Sequence, residues 1–205
     1  LLPWERSFLA LVHDKSEADF KGVAILIGPI ILPGLMPWPL DAIVKTALKA
    51  NYAITIESNI WFPRAIDTSS VSDLVWLVHE SVHVVDYAVA GTEAFLKTYI
   101  QQALVHGFKH DDIPHEKRAN RIEAAARGMQ ARFPNLVKAI GSCDGNAVLA
   151  LLTSQKDAYR AALNESMGAE GVDEIAPDSL FDPRRLLGER GRVPPHSVIL
   201  RPGYP

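Results

Sequence analysis

The sequence predicts a mainly helical α+β domain carrying a small sheet. Three observations lead there: long runs with apolar residues at helical spacing from Ser70 onward, one β-branched and aromatic stretch at Tyr52–Phe62, and no internal repeat or low-complexity tract. At 205 residues the chain is long enough to bury one sizeable core. A single domain is expected over residues 1–167, with a proline- and glycine-rich tail over 168–205 packed on it or trailing from it.

Taken in order, Pro3–Val12 reads as a short amphipathic element. Gly22–Leu40 is the most apolar stretch, expected to be a buried strand at Val23–Ile27 followed by an extended apolar loop. Pro29, Pro33, Pro37 and Pro39 would break the helix a bilayer demands, so the stretch is assigned to core or to a protein-partner surface and no transmembrane span is expected. Asp41 can cap a helix running through Ala50. Tyr52–Ile56 and Asn59–Phe62 flank Glu57-Ser58 as a hairpin, and Pro63 ends its second strand.

Ser70 or Ser72 opens a valine-rich helix, with Asp73 as partial capping-box partner and Gly91 as its terminator. Thr92 caps a second helix bearing the stripe Phe95, Leu96, Tyr99 and Ile100, which His106-Gly107 closes. After the polar loop Phe108–Ile113, Asp112 and Pro114 open a third helix to about Arg132, and Phe133-Pro134 stops it. Gly141–Asn146 is a turn, and Ala147–Met167 is the last long helix.

The net charge of −3 provides no basic footprint, so nucleic acid and anionic membranes are not expected partners. Arg184, Arg185, Arg190, Arg192 and Arg201 are offset by acids earlier in the tail. Cys143 stands alone, which excludes an intramolecular disulfide and a cysteine zinc cluster. Gly141-Ser142-Cys143-Asp144-Gly145 mimics a nucleophile elbow but lacks the strand such an elbow needs before it. Leu1–Leu11 has no basic n-region, so a retained signal peptide is not expected. Of the seven histidines, His79, His83, His106, His110 and His115 fall between 79 and 115, which directs attention to that segment.

Within it, His79-Glu80-Ser81-Val82-His83 carries chemistry. Side chains four apart share a helix face, so both imidazoles can point at one ion while Glu80 reaches a water beside it. This is the arrangement of a zinc hydrolase: imidazole ligands, a carboxylate base and an activated water. Two core histidines on an apolar helix are the plain alternative. A catalytic zinc needs a third protein ligand and an open position. Glu116 and Glu123 on the third helix both qualify. Seven residues and roughly 10 Å apart, only one of them should reach the ion, and spacing alone does not choose.

Pro114-x-Glu116-x-x-Ala119-Asn120 resembles the Glu-x-x-Ala-Asp element that supplies the third ligand in glutamate-type zincin metallopeptidases. The stretch from Ile54 to about Ala126 is similar to the bacterial domain associated with extracellular contractile injection systems (the eCIS core domain). The likeness rests on Ile54-Thr55-Ile56, Ile60-Trp61-Phe62, Leu77–Val84, Gly91, Phe95, Tyr99 and Pro114-His115-Glu116, about a third of the chain.

The resemblance implies a zincin-like fold with its metal-site core at 52–132, one Zn²⁺ held by His79, His83 and Glu116, and Glu80 as general base. Asn120 departs from the acid usual after the alanine, and Asp86 stands where glutamine is common. Asp86 and Asn120 are the expected partners of a ligand imidazole, and His115, Tyr87, Arg118 and Arg127 are candidate donors to an oxyanion. The implied activity is zinc-dependent hydrolysis of peptide bonds in a peptide or protein. The alternative is a non-catalytic metal-binding module for assembly of a bacterial secretion or injection particle, docking through residues 22–40.

Overall fold

The computed structural model describes residues 1–28 and 52–168. The expected Asp41–Ala50 helix, most of the Gly22–Leu40 stretch and the tail beyond Gly168 lie outside the described residues. Within them there are seven α-helices and one three-stranded sheet, a mainly helical α+β arrangement. No described helix is long and apolar enough to cross a membrane.

The sheet has strand order β1-β3-β2, with β1 at Ala24–Ile27, β2 at Ile54–Ile56 and β3 at Asn59–Phe62. β2 and β3 form the expected hairpin, pairing antiparallel with Thr55 opposite Ile60. Glu57 takes a left-handed φ of 55° in the two-residue turn. β1 adds to β3 in parallel, Ile25 opposite Ile60. The expectation of a buried first strand needs correction. β1 is an edge strand, and its end turns outward, with Leu26 and Ile27 exposed. Only Ile60 and Phe62 of the hairpin point fully into the core.

Helix α1 (Pro3–His13) is buried along most of its length, and α2 (Val71–Ala90) runs through the centre of the molecule. Leu74, Val75, Leu77, Val78 and Val82 are fully buried and recur every three or four residues, the spacing of one continuous helical stripe. Removing each such side chain from water stabilises the fold by about 1.5–3 kcal/mol. Asp73 does not cap this helix as expected. Both its oxygens accept from Arg64, and Asp67 N–H also donates to it. These three donors outbid a backbone amide of its own turn.

Gly91 ends α2 at φ 78° and opens α3 (Thr92–Val105) without a side-chain cap. Thr92 instead donates to Glu57 across the hairpin turn. A 3₁₀ turn at His110–Asp112 leads into α4 (Pro114–Arg132), whose N-cap is Ile113 and not Asp112. α2 and α4 form the most extensive helix pair. The fully buried Ala119 and Ala126 let the two backbones approach.

Helices α5 (Pro134–Gly141), α6 (Gly145–Ser154) and α7 (Lys156–Gly168) close the fold. The last long helix predicted from Ala147 to Met167 is therefore two helices. Thr153 and Ser154 donate their hydroxyls back to the carbonyls of Leu149 and Ala150, and the chain breaks at Gln155. Such back-bonding bends helices. Asp144 caps α6 by accepting from Ala147 N–H. Cys143 is an exposed turn residue between helices, so no nucleophile elbow forms.

Candidate metal centre

The α2–α4 contact brings three side chains, those of His79, His83 and Glu116, to one point, and α4 runs antiparallel to α2. Its first turn therefore meets the C-terminal half of α2, Glu116 meets the middle, and Glu123 lies one step further back. Glu116 Oε2 lies 3.1 Å from His79 Nε2 and 3.4 Å from His83 Nε2. A third imidazole approaches the same oxygen, His110 Nε2 at 3.1 Å. Donor atoms of His79, His110 and Glu116 all lie within 4.8 Å of one another, so this group could hold a metal ion; His83 is not part of that set. The other Glu116 oxygen accepts from the Tyr99 hydroxyl at 2.5 Å.

The two glutamates that spacing left open have different roles. Glu116 takes the Nε2 side of His79, whereas Glu123 Oε2 lies 3.3 Å from its Nδ1. One imidazole ring spans the gap between two carboxylates two helical turns apart. Glu123 is thus the carboxylate on the Nδ1 side of His79, the position expected of Asn120 or Asp86. Arg127 is bound up with Glu123 at 3.0 Å.

Burial disfavours a charged imidazole at His79, but the hydrogen bonds to Glu116 and Glu123 outweigh it and raise the group to about 10. Burial opposes charge at His83 too, and the Glu116 carboxylate again prevails and raises it. Glu116 itself would be pushed up by burial, yet the surrounding histidines hold it well below the ordinary carboxylate range. Burial first, and then the Glu116 charge, pushes the Tyr99 phenol well above its usual value, so it remains a donor. The cluster stabilises positive charge at its centre.

Glu80, on the turn between the two histidines, is buried beneath β2. Its Oε2 accepts from Thr55 Oγ1 at 2.7 Å, which ties the carboxylate to the hairpin. Its negative charge also raises both His79 and His83.

Several expected partners lie elsewhere. Asp86 is fully buried, but its oxygens hold His115 Nδ1 at 2.9 Å and the Arg118 guanidinium. All three form a separate network one turn beyond His83, because antiparallel α4 delivers His115 and Arg118 to that level. Asn120 is exposed and faces away from α2. Tyr87 packs its ring against Phe95, centroids 4.1 Å apart. None of these makes a described hydrogen bond to the cluster. His110, Tyr99 and Thr55 are the site residues that sequence reasoning missed. The crowding of histidines between 79 and 115 was the one signal for His110. In the sequence Tyr99 reads as part of an apolar stripe and Thr55 as a strand residue.

Comparison with known proteins found no matching family model, no matching curated protein and no matching solved structure.

Proposed function

We propose that this protein is a zinc-dependent metallopeptidase. The observation that carries the reading is the convergence of three imidazole Nε2 atoms on one oxygen of Glu116, with Glu80 on the same turn of α2. Bonds of about 2.0–2.1 Å in a tetrahedral zinc site separate neighbouring donor atoms by roughly 3.3 Å. The 3.1, 3.4 and 3.1 Å contacts straddle that value. Imidazole nitrogen with one carboxylate is also a donor set that suits zinc better than calcium or magnesium. Buried His83 Nδ1, with no hydrogen-bond partner among the described residues, leaves that ring free to adjust toward an ion. The likeness of HExxH and Glu-x-x-Ala to glutamate-type zincins supports the same reading.

Bound zinc would supply Lewis acidity toward a carbonyl oxygen and acidify a water. Glu80 is placed to accept the proton that a water attacking the amide carbon would give up. It returns the proton to the departing nitrogen when the C–N bond breaks. Thr55 holds the Glu80 carboxylate in one rotamer, and Tyr99 and Glu123 hold Glu116 and His79.

The non-catalytic alternative draws on the burial of the donors, since His79, Glu80, His83 and Glu116 are each no more than 6% exposed. Glu80→Gln decides between them. A peptidase variant should keep stoichiometric zinc and lose peptide-library cleavage by about 10²–10⁴-fold, the usual contribution of a positioned acid–base group. Unchanged biological function in Glu80→Gln, with no cleavage in the native protein, would favour the assembly module.

A further inference from the structure

We propose that His110 is a fourth protein donor to the metal centre, so that the folded chain holds a closed, latent site whose hydrolytic form requires His110 to give up its place. The inference rests on the zinc-peptidase reading and adds its regulation. A catalytic zinc keeps a coordination position open, whereas four protein donors close the tetrahedron. Three imidazole Nε2 atoms, those of His79, His83 and His110, lie 3.1, 3.4 and 3.1 Å from Glu116 Oε2, which makes four candidate donors with Glu116 itself.

His110 is positioned as a ligand and not as a bystander. Its Nε2 lies as close to Glu116 Oε2 as that of His79, both at 3.1 Å. It belongs to the mutually close set from which His83 is excluded. Its Nδ1 faces Asp111 at 3.4 Å, which leaves Nε2 as the inward nitrogen. The ring lies nearly parallel to His79, 16° between planes at 6.2 Å, and Tyr52 stacks on it at 4.4 Å. Tyr52, His110 and His79 thus form a stack from the surface to the buried centre, with His110 as its intermediate layer.

The three inner donors sit on α2 and α4, whose pairing is fixed by the core. His110 sits on the short 3₁₀ turn between α3 and α4 and is the most exposed donor, its side chain 27% accessible. Moving it would break the Tyr52 stack and leave the α2–α4 contact intact. The structure therefore joins a rigid three-donor base to a removable fourth donor.

X-ray absorption at the zinc edge tests this without reference to activity, because it counts imidazoles. The native protein should show three, and His110→Ala two. In the cobalt-substituted forms, acetohydroxamate should change the visible spectrum of His110→Ala and leave that of the native protein unaltered. Casein cleavage should be higher in His110→Ala than in native protein. Two imidazoles in the native protein would overturn the proposal and leave the zinc-peptidase reading standing. Native protein without stoichiometric zinc would overturn both. Loss of casein cleavage in a folded, zinc-loaded His110→Ala would also overturn it, making His110 a substrate-facing catalytic group. The native imidazole count stands even if that variant does not fold, and Tyr52→Ala, expected to admit acetohydroxamate in part, provides a second test.

Discussion

Helix α2 carries two buried histidine networks only a turn or two apart, and they behave oppositely. On one side His79 faces Glu116 and Glu123 and is held near 10. On the other, His13 of α1 reaches Ser81 Oγ at 2.7 Å and is held near 3, by shielding from water first and the Arg118 charge second. Ser81 donates its own hydrogen to the Val78 carbonyl, so its oxygen accepts from His13. Beside it, Asp86 satisfies Arg118 and His115. The same residue type becomes a cation-seeking group where carboxylates surround it, at buried His79, or a neutral structural one where desolvation and an arginine charge prevail, at half-buried His13. Histidine content alone therefore does not mark a candidate metal site, whereas histidines and a carboxylate with mutually close donor atoms do.

Crossing the two regions by mutation should produce the largest effects. Glu116→Ala should abolish stoichiometric zinc, measured by metal analysis after gel filtration. Asp86→Ala should keep the zinc but cost about 3–5 kcal/mol in denaturant unfolding, because Arg118 loses its buried counter-charge. If Asp86→Ala lost the metal instead, the two networks would be one. A smaller effect is expected of Glu123→Gln, which should weaken zinc binding about 10–100-fold in competition with a chromophoric chelator. Unchanged affinity there would reduce Glu123 to a surface carboxylate.

Subtler still is the pH dependence of the metal-free protein. His79, raised above its unfolded value of 6.5, contributes stability fully present below pH 6.5 and lost as pH rises toward 10. His13, depressed below 6.5, contributes stability present above pH 6.5 and lost as pH falls toward 3. Thermal midpoints of native protein should fall between pH 6.5 and 4.5, before the carboxylates protonate. His13→Gln should flatten that slope without altering the alkaline limb. A parallel loss in both proteins would place the acid sensitivity elsewhere.

Much of the local structure was legible in the residues. The hairpin around Glu57-Ser58 and the helix from Pro114 to Arg132 follow from β-branched runs, a proline at the first helical position and a proline stop, all of which act within a few residues. The caps were less legible. Asp73 and Thr92 are good capping types, but each found a stronger partner from another element, Arg64 in one case and Glu57 in the other. The break at Gln155 lacked the usual glycine or proline and came from two hydroxyls turned back on their own helix.

The sequence by itself determined that His79, Glu80 and His83 share one helical turn, because spacing on a helix is a local property set by backbone geometry. It also limited the acidic candidates on the next long helix to Glu116 and Glu123. Only the tertiary structure separated them, since the antiparallel crossing of α4 over α2 decides which carboxylate meets Nε2 and which meets Nδ1. The same crossing carried Asp86 into a different network, and the turn between α3 and α4 brought His110 to the centre. Those outcomes depend on where whole elements pack, and packing is settled by the buried valine and alanine faces far more than by the polar residues that those faces bring together.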